Sequence, residues 1–347
     1  MAGDRRRERI DRGIKVRSES IYALSSWEEI GYLVAPRALL VVGFLLLPLL
    51  QLGSPYWGRV ALSVCIFALL AVAFDFLANM VGLVCLGGAF FYGVGGYAAA
   101  LLNVKAGLPP VLAIPIATVI GALVCTALIY PCLPLRGIYF AIVTLMYPLL
   151  MIRIIEAADL FGGTEGFRGI NGFSSPWTEQ YGLIVFMLLG VFGLRRFLSE
   201  DAGLVIRAVK DNDQAVRASG ISVAWTKSKA VFIASLLGCF AGAYYIHMYR
   251  SVGISAFAPD LSIMPIAATV IGGGGNLVGA VIGSMVLVPL SEILLILPGR
   301  VVHDPFALED DEPRQDERVG HDAQGPEVAQ DLGQGHQHHA PDHRADE

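Results

Sequence analysis

The chain of 347 residues is poor in charge: 16% of it is Asp, Glu, Lys or Arg, against 55% hydrophobic residues and a mean hydropathy of +0.60. That balance excludes an ordinary soluble domain. Cysteine is scarce, with five residues at 65, 85, 125, 132 and 239, and no CxxC pair occurs. All five sit in or beside apolar runs, so they read as small buried hydrophobes and not as redox or metal sites. There is no GxxxxGK[ST] phosphate loop, so no nucleotide is expected to bind this chain. The apolar runs hold no His/Asp/Glu cluster at ligand spacing, which argues against an intramembrane enzyme. The N-terminal arginines Arg5, Arg6, Arg7 and Arg9 are not followed by an immediate apolar core or a small-residue cleavage site, so no cleavable signal peptide is expected.

What charge exists is segregated. Residues 298–347 hold 13 of the 30 acids but 4 of the 25 bases, a net −9 against +4 for the rest. This tail is acidic, contains proline and is nearly free of aromatics. It cannot bury enough apolar surface to offset chain entropy and is expected to be disordered. His336, His338, His339 and His343 read as part of that solvated stretch and not as a metal site. Three regions follow: a polar, cytoplasmic arm at 1–37 with Trp27 and Tyr32 as interfacial anchors, an apolar region at 38–297, and the tail.

The apolar region divides into runs of membrane-spanning character at 38–52, 60–81, 82–104, 111–133, 137–152, 180–194, 230–249 and 277–297. The segment 262–271 is too short to cross alone and meets the run Gly272–Gly275, which leaves the crossing count after residue 261 open. The expected fold is an all-α polytopic membrane protein, a bundle of about 8–9 transmembrane helices in the cell inner (plasma) membrane. With the arginine-rich arm inside, the connections at 53–59, 105–110 and 153–179 fall outside, while Arg136 and the stretch 195–230 fall inside. Basic residues then land on the cytoplasmic side. Small residues recur four apart, as in Ala234/Gly238/Gly242, Gly275/Gly279/Gly283 and Gly96/Ala100, and predict tight helix crossings.

The stretch 195–230 is the longest polar interruption. Val205, Ile206, Val209 and Val216 fall at helical spacing, and Gly220 can end the helix as a C-cap. A short amphipathic helix between spans is expected to lay its apolar stripe on the membrane surface or in a partner's groove. Among the intramembrane polar residues, Asp75 is the sharpest. It lies either on a translocation path or is satisfied by a neighbouring helix. Glu292 reads as structural, and His247 as an interfacial residue.

Several stretches then resemble one family, the second-type permease subunit of the branched-chain amino acid ABC importers, over roughly residues 38–297. The most specific is LRGIYFAIVTL at 135–145. GLVCLGGAFFYGVGGY at 82–97 is similar to the family's glycine- and aromatic-rich span, although Cys85 and Gly88 stand where Ser and His are expected, and Asp75 where Asn is common. Residues 162–166, GGTEG, resemble the family's external turn, and PDLSI at 259–263 and VIGGGGNLVGAVIGS at 270–284 its late segment. RAVKDNDQAVRASGI looks like the coupling loop of ABC importer permeases, with Gln214 and Val216 departing from the acid-Ala-Ala pattern. The family's last apolar helix and short basic end are replaced here by the acidic tail.

The resemblance implies a heterodimer with a second homologous permease subunit, two cytoplasmic ATPase subunits that use ATP, and an external solute-binding protein, all on membrane lipid and with no nucleic acid. It implies that Arg207, Ala208, Lys210, Asp213, Gln214, Ala215, Arg217 and Gly220 meet an ATPase, and that Asp75, Tyr97, Tyr139 and Thr144 are candidates for the translocation path. Branched-chain amino acids are the default cargo, with urea and short amides as relatives' cargo. The alternative is an ion-gradient-driven secondary transporter in which Asp75 takes the proton.

Overall fold

The computed structural model describes residues 41–46, 48, 55–135, 137–158, 163, 166–173 and 175–296. The arm at 1–37 expected to be cytoplasmic, most of the run 38–52, Arg136, Gly162, Thr164, Glu165 and the acidic tail lie outside the described residues.

The described chain is almost entirely helical. Helix α1 (Pro55–Asp75) continues into a π-helical turn, Phe76–Val81. Then come α2 (Gly88–Ala106), α3 (Pro110–Ile129) and α4 (Ile138–Ala158). A two-residue strand β1 (Phe167–Arg168) precedes α5 (Pro176–Leu198). Two short helices, α6 (Asp201–Asp211) and α7 (Asp213–Ala218), lead to α8 (Val223–Tyr249). Strand β2 (Ser251–Val252), a 3₁₀ turn (Ile254–Phe257), α9 (Asp260–Gly272) and α10 (Leu277–Ile296) complete it.

Local signals set many of the ends. Pro110 and Pro176 occupy first turns, where a missing N–H costs nothing. Gly107, at φ 65°, closes α2 by donating its N–H to the Asn103 carbonyl at 3.1 Å. Pro115, Pro148, Pro265 and Pro289 lie inside helices, which membrane bundles tolerate when neighbours satisfy the freed carbonyls.

Among the described residues, six helices are long and apolar enough to cross a membrane. Helix α2 has the length, at 19 residues, but glycine, Asn103 and Lys105 dilute it, and α9 has only 13 residues. The expected count of eight or nine is thus not confirmed among the described residues. The third run also starts later than expected, at Gly88 instead of 82, because Gly82 turns left-handed at φ 79° and residues 82–87 are irregular.

The span of α1 is 83% buried and that of α8 72%, whereas that of α4 is 28% buried, so α1 and α8 are central and α4 peripheral. Helix α8 packs on α2 and α3, and α10 on α1 and α9. Two crossings depend on the absence of a side chain. A Cβ on Gly242 would strike the Tyr92 carbonyl of α2, and one on Gly272 the Gly279 carbonyl of α10. In lipid the hydrophobic effect does not drive helices together, so this backbone proximity and its dispersion contacts supply the adhesion. Large apolar side chains such as Val111, Ile138 and Leu189 point outward, as a lipid-facing surface requires.

Contacts sort the connections into two ends. At one, β1 pairs antiparallel with β2, and Asn171 donates its N–H to Asn103 Oδ1 at 3.0 Å. At the other, α6 packs on the π-helical turn. The parity reading placed these outside and inside respectively. His247 departs from its expected interfacial setting: it is buried at 1% exposure and donates from Nδ1 to the Asn171 carbonyl at 2.8 Å, because the connection before α5 folds over it. After residue 261 the contacts run from one end of the bundle to the other. Val252 lies at the β1–β2 end, the 3₁₀ turn brings Phe257 against Gly93 and Tyr97, and α9 ends at a loop whose Gly275 reaches Asp75 at the other end. Helix α10 then returns, and Glu292 accepts from the Tyr56 hydroxyl near the start of α1, at 2.8 Å.

Candidate functional site

The polar connection is shorter than the stretch 195–230 and forms two helices instead of one. Residues 195–198 finish α5, and 223–230 open α8. Between them, α6 begins at Asp201 and ends near Lys210, the charge order that its dipole favours. Asn212 breaks it with an extended backbone, φ −155° and ψ 97°, and its Oδ1 accepts from the N–H groups of Gln214 and Ala215, both at 3.1 Å. That is an N-cap worth about 1 kcal/mol. Helix α7 stops two turns later. Gly220 has φ 84° and donates to the Arg217 carbonyl, while Ile221 donates to the Val216 carbonyl, the paired bonds of a Schellman end. The expected C-cap role of Gly220 holds. Ser222 then caps α8, accepting from Trp225 N–H at 3.4 Å.

The apolar stripe is not left for a partner. Ile206, Val209 and Val216 are buried within the chain, and Val209, Val216 and Val223 form one cluster. The inner ends of α5 and α8 and the π-helical turn supply the apolar surface that the sequence reading assigned to lipid or to another protein. Among the residues that remain outward, Ala208, Gln214, Ala215, Arg217 and Gly220 are exposed beside the apolar Leu204 and Ile221, and Arg207 and Asp213 are half-buried. Two adjoining cavities of about 490 and 360 Å³ open beside α7, and Asp213 and the buried Lys227 line both. Lys210 is exposed but turns back to the bundle, where its ammonium donates to the Asn79 carbonyl at 2.7 Å and its stem lies over Gly82.

The four candidates for a path fall into separate settings. Asp75 is wholly buried, and its Oδ1 accepts from Asn79 Nδ2 and from Gly275 N–H, each at 2.7 Å. Thr144 is buried where α4 meets the irregular segment 82–87; its Oγ1 accepts from Leu86 N–H at 3.1 Å and donates to the Ala141 carbonyl at 2.9 Å. Ser262 does the same for the start of α2, accepting from Ala89 N–H at 2.9 Å. These hydroxyls satisfy backbone groups that a broken helix leaves inside the bundle. Tyr97 is buried and stacks on Phe257, with ring centroids 5.6 Å apart. Tyr139, by contrast, is 70% exposed at the first turn of α4 and is not brought into this group.

The sequence reading missed Asn79, Asn212, Lys227 and Ser262. Asn79 had a signal, standing four residues after Asp75, within reach on one helix face. Asn212 had another, a cap residue ahead of Gln214 and Ala215. Lys227 and Ser262 carry no local signal, because their positions follow from distant helices.

An all-α bundle with unwound backbone between crossing helices, and one capped double helix at one end, is the architecture of a polytopic membrane permease. The chain belongs to the branched-chain amino acid transport system permease component family, whose model matches residues 56–302. It is 25% identical over 266 residues to the high-affinity branched-chain amino acid transport system permease protein LivM of Salmonella typhimurium, and 26% identical over 266 residues to LivM of Escherichia coli. Each match covers 68% of this chain and 63% of the relative, so the chain spans under two thirds of their length. The probable branched-chain amino acid transport permease protein LivM of Methanocaldococcus jannaschii is 24% identical over 246 residues, covering 63% of this chain and 71% of that one. No solved structure matches. The chain is thus a multi-pass inner-membrane protein of the permease type.

Proposed function

We propose that this chain is the membrane-spanning permease subunit of an ATP-binding-cassette importer that carries branched-chain amino acids, with energy delivered by separate cytoplasmic ATPases. It acts without an ATPase site of its own, beside a second homologous permease and an external solute-binding protein. The observation that carries this reading is the inner double helix α6–α7. Its apolar stripe is anchored on the bundle while Ala208, Gln214, Ala215, Arg217 and Gly220 face outward on a capped scaffold. A rigid element held at both ends transmits a push; a loose loop absorbs it. Closure of the ATPase pair would press on this face and bias the bundle between inward-open and outward-open packings. Arg217 would steer encounter more than it adds affinity.

The test is transport of radiolabelled leucine by the complex in sealed proteoliposomes. Accumulation is expected with ATP and to stop when ATP is removed and a proton or sodium gradient is kept. Accumulation driven by the gradient alone would refute the reading. Gly220→Pro is expected to lower leucine transported per ATP by roughly 10-fold, a typical coupling magnitude, since proline cannot adopt φ 84° and loses the bond to Arg217.

A further inference from the structure

A chain of short contacts joins the inner double helix to the loop between α9 and α10. It starts at Lys210 on α6, whose ammonium donates to the Asn79 carbonyl at 2.7 Å. Asn79 sits in the π-helical turn, the stretch where the α1 ladder changes register. Its amide donates to Asp75 Oδ1, and the same oxygen accepts from Gly275 N–H in the glycine loop. Gly274 leaves the room this needs, since a Cβ there would stand 2.8 Å from Asn79 Nδ2. Asp75 Oδ2 has no hydrogen-bond partner among the described residues, so one oxygen holds both donors.

We infer that Asn79 is a positioning residue that links movement of the α6–α7 element to the α9–α10 loop through Asp75. This rests on the proposed importer reading and adds the route by which the push enters the bundle. Three features favour a moving link over a local helix contact. The carbonyl that Lys210 grips and the amide that grips Asp75 belong to one residue, so a pull on α6 reorients both. Asn79 and Gly275 share one acceptor, so a displaced Asn79 is felt at Gly275. The π-helical turn can pass its extra residue along by changing a few hydrogen bonds, which supplies the two discrete arrangements that coupling requires.

The measurement is radiolabelled leucine moved per ATP hydrolysed, with the whole complex in proteoliposomes. Asn79→Ala is expected to lower it roughly 10-fold while the ATPases still co-purify, an ordinary size for coupling between sites. Lys210→Met, which keeps the stem over Gly82 and loses the ammonium, is expected to lower it about 5-fold. The exchange Asp75→Asn with Asn79→Asp, which keeps a donor and an acceptor facing each other, is expected to restore at least a third of the loss, a recovery that a purely structural asparagine would not show.

Should Asn79→Ala fail to assemble, Lys210→Met decides alone, because that side chain is at the surface. Wild-type coupling in Lys210→Met, or no recovery in the exchange, overturns the inference. Ala215→Asp on the outward face is the control. If it uncouples while the Asn79 and Lys210 variants do not, the link falls and the importer reading stands. If it too leaves coupling intact, the α6–α7 face is not where the ATPases act and the link falls with it; transport without ATP would overturn the importer reading itself.

Discussion

The α6–α7 double helix and the α9–α10 hairpin are both breaks in a helical bundle, but they are made in different ways. The double helix is built from local chemistry: Asn212 opens α7, Gly220 closes it, and Ser222 opens α8, each within five residues of its partner. The hairpin is held from a distance. Gly275 is fixed by Asp75, 200 residues away in sequence, and Thr269 donates to the Ala71 carbonyl at 3.3 Å. The caps of the first can be changed without touching α1; the second cannot be changed without disturbing it. Local caps suit a segment proposed to meet another protein, and a segment inside the membrane has no water to satisfy its backbone and must borrow partners.

Four substitutions sharpen or break this contrast. The largest effect is expected at Gly242→Leu, where a side chain would meet the Tyr92 carbonyl and force α2 and α8 apart. A loss of at least about 3 kcal/mol is expected, read as a lowered unfolding midpoint in detergent or as failure to yield a monodisperse protein. Asp75→Leu comes next. It strands the Asn79 amide and the Gly275 N–H, and about 3 kcal/mol should be lost in the same assay.

Asn212→Ala is expected to cost about 1 kcal/mol, confined to α7 and visible as faster hydrogen exchange at the amides of Gln214 and Ala215. Ala215→Asp should leave the melting temperature unchanged and weaken retention of the ATPases on co-purification. If Asn212→Ala lowered the global midpoint as far as Asp75→Leu, the double helix would be part of the bundle's core and the contrast would be lost.

How far each region could be read in advance follows from the same difference. The resemblance found in LRGIYFAIVTL and GLVCLGGAFFYGVGGY pointed to the family, and the hydropathy runs located the six long spans, though with short ends at α5 and α8. Gly220 was legible as a cap, because a cap is a local event. The burial of the α6–α7 stripe was not. Spacing shows that Ile206, Val209 and Val216 share a face, but not what covers it. Nor was the setting of Tyr139 and Thr144, five residues apart on α4, one exposed and the other buried. In a span that is apolar on every side, periodicity does not tell a lipid-facing position from a packed one.

The amino-acid order was enough to show an all-helical membrane protein, where most crossings lie, which connections carry positive charge, and that Gly220 ends a helix. These follow from transfer of apolar side chains out of water and from hydrogen bonds spanning a few residues. Only long-range packing settled that the α6–α7 stripe folds back on its own bundle, that α9 and the 3₁₀ turn ahead of it run between the two ends, and that Asp75 meets Gly275. Those outcomes depend on which backbones can approach closely and which buried polar groups find each other, and neither is encoded in any single stretch of chain.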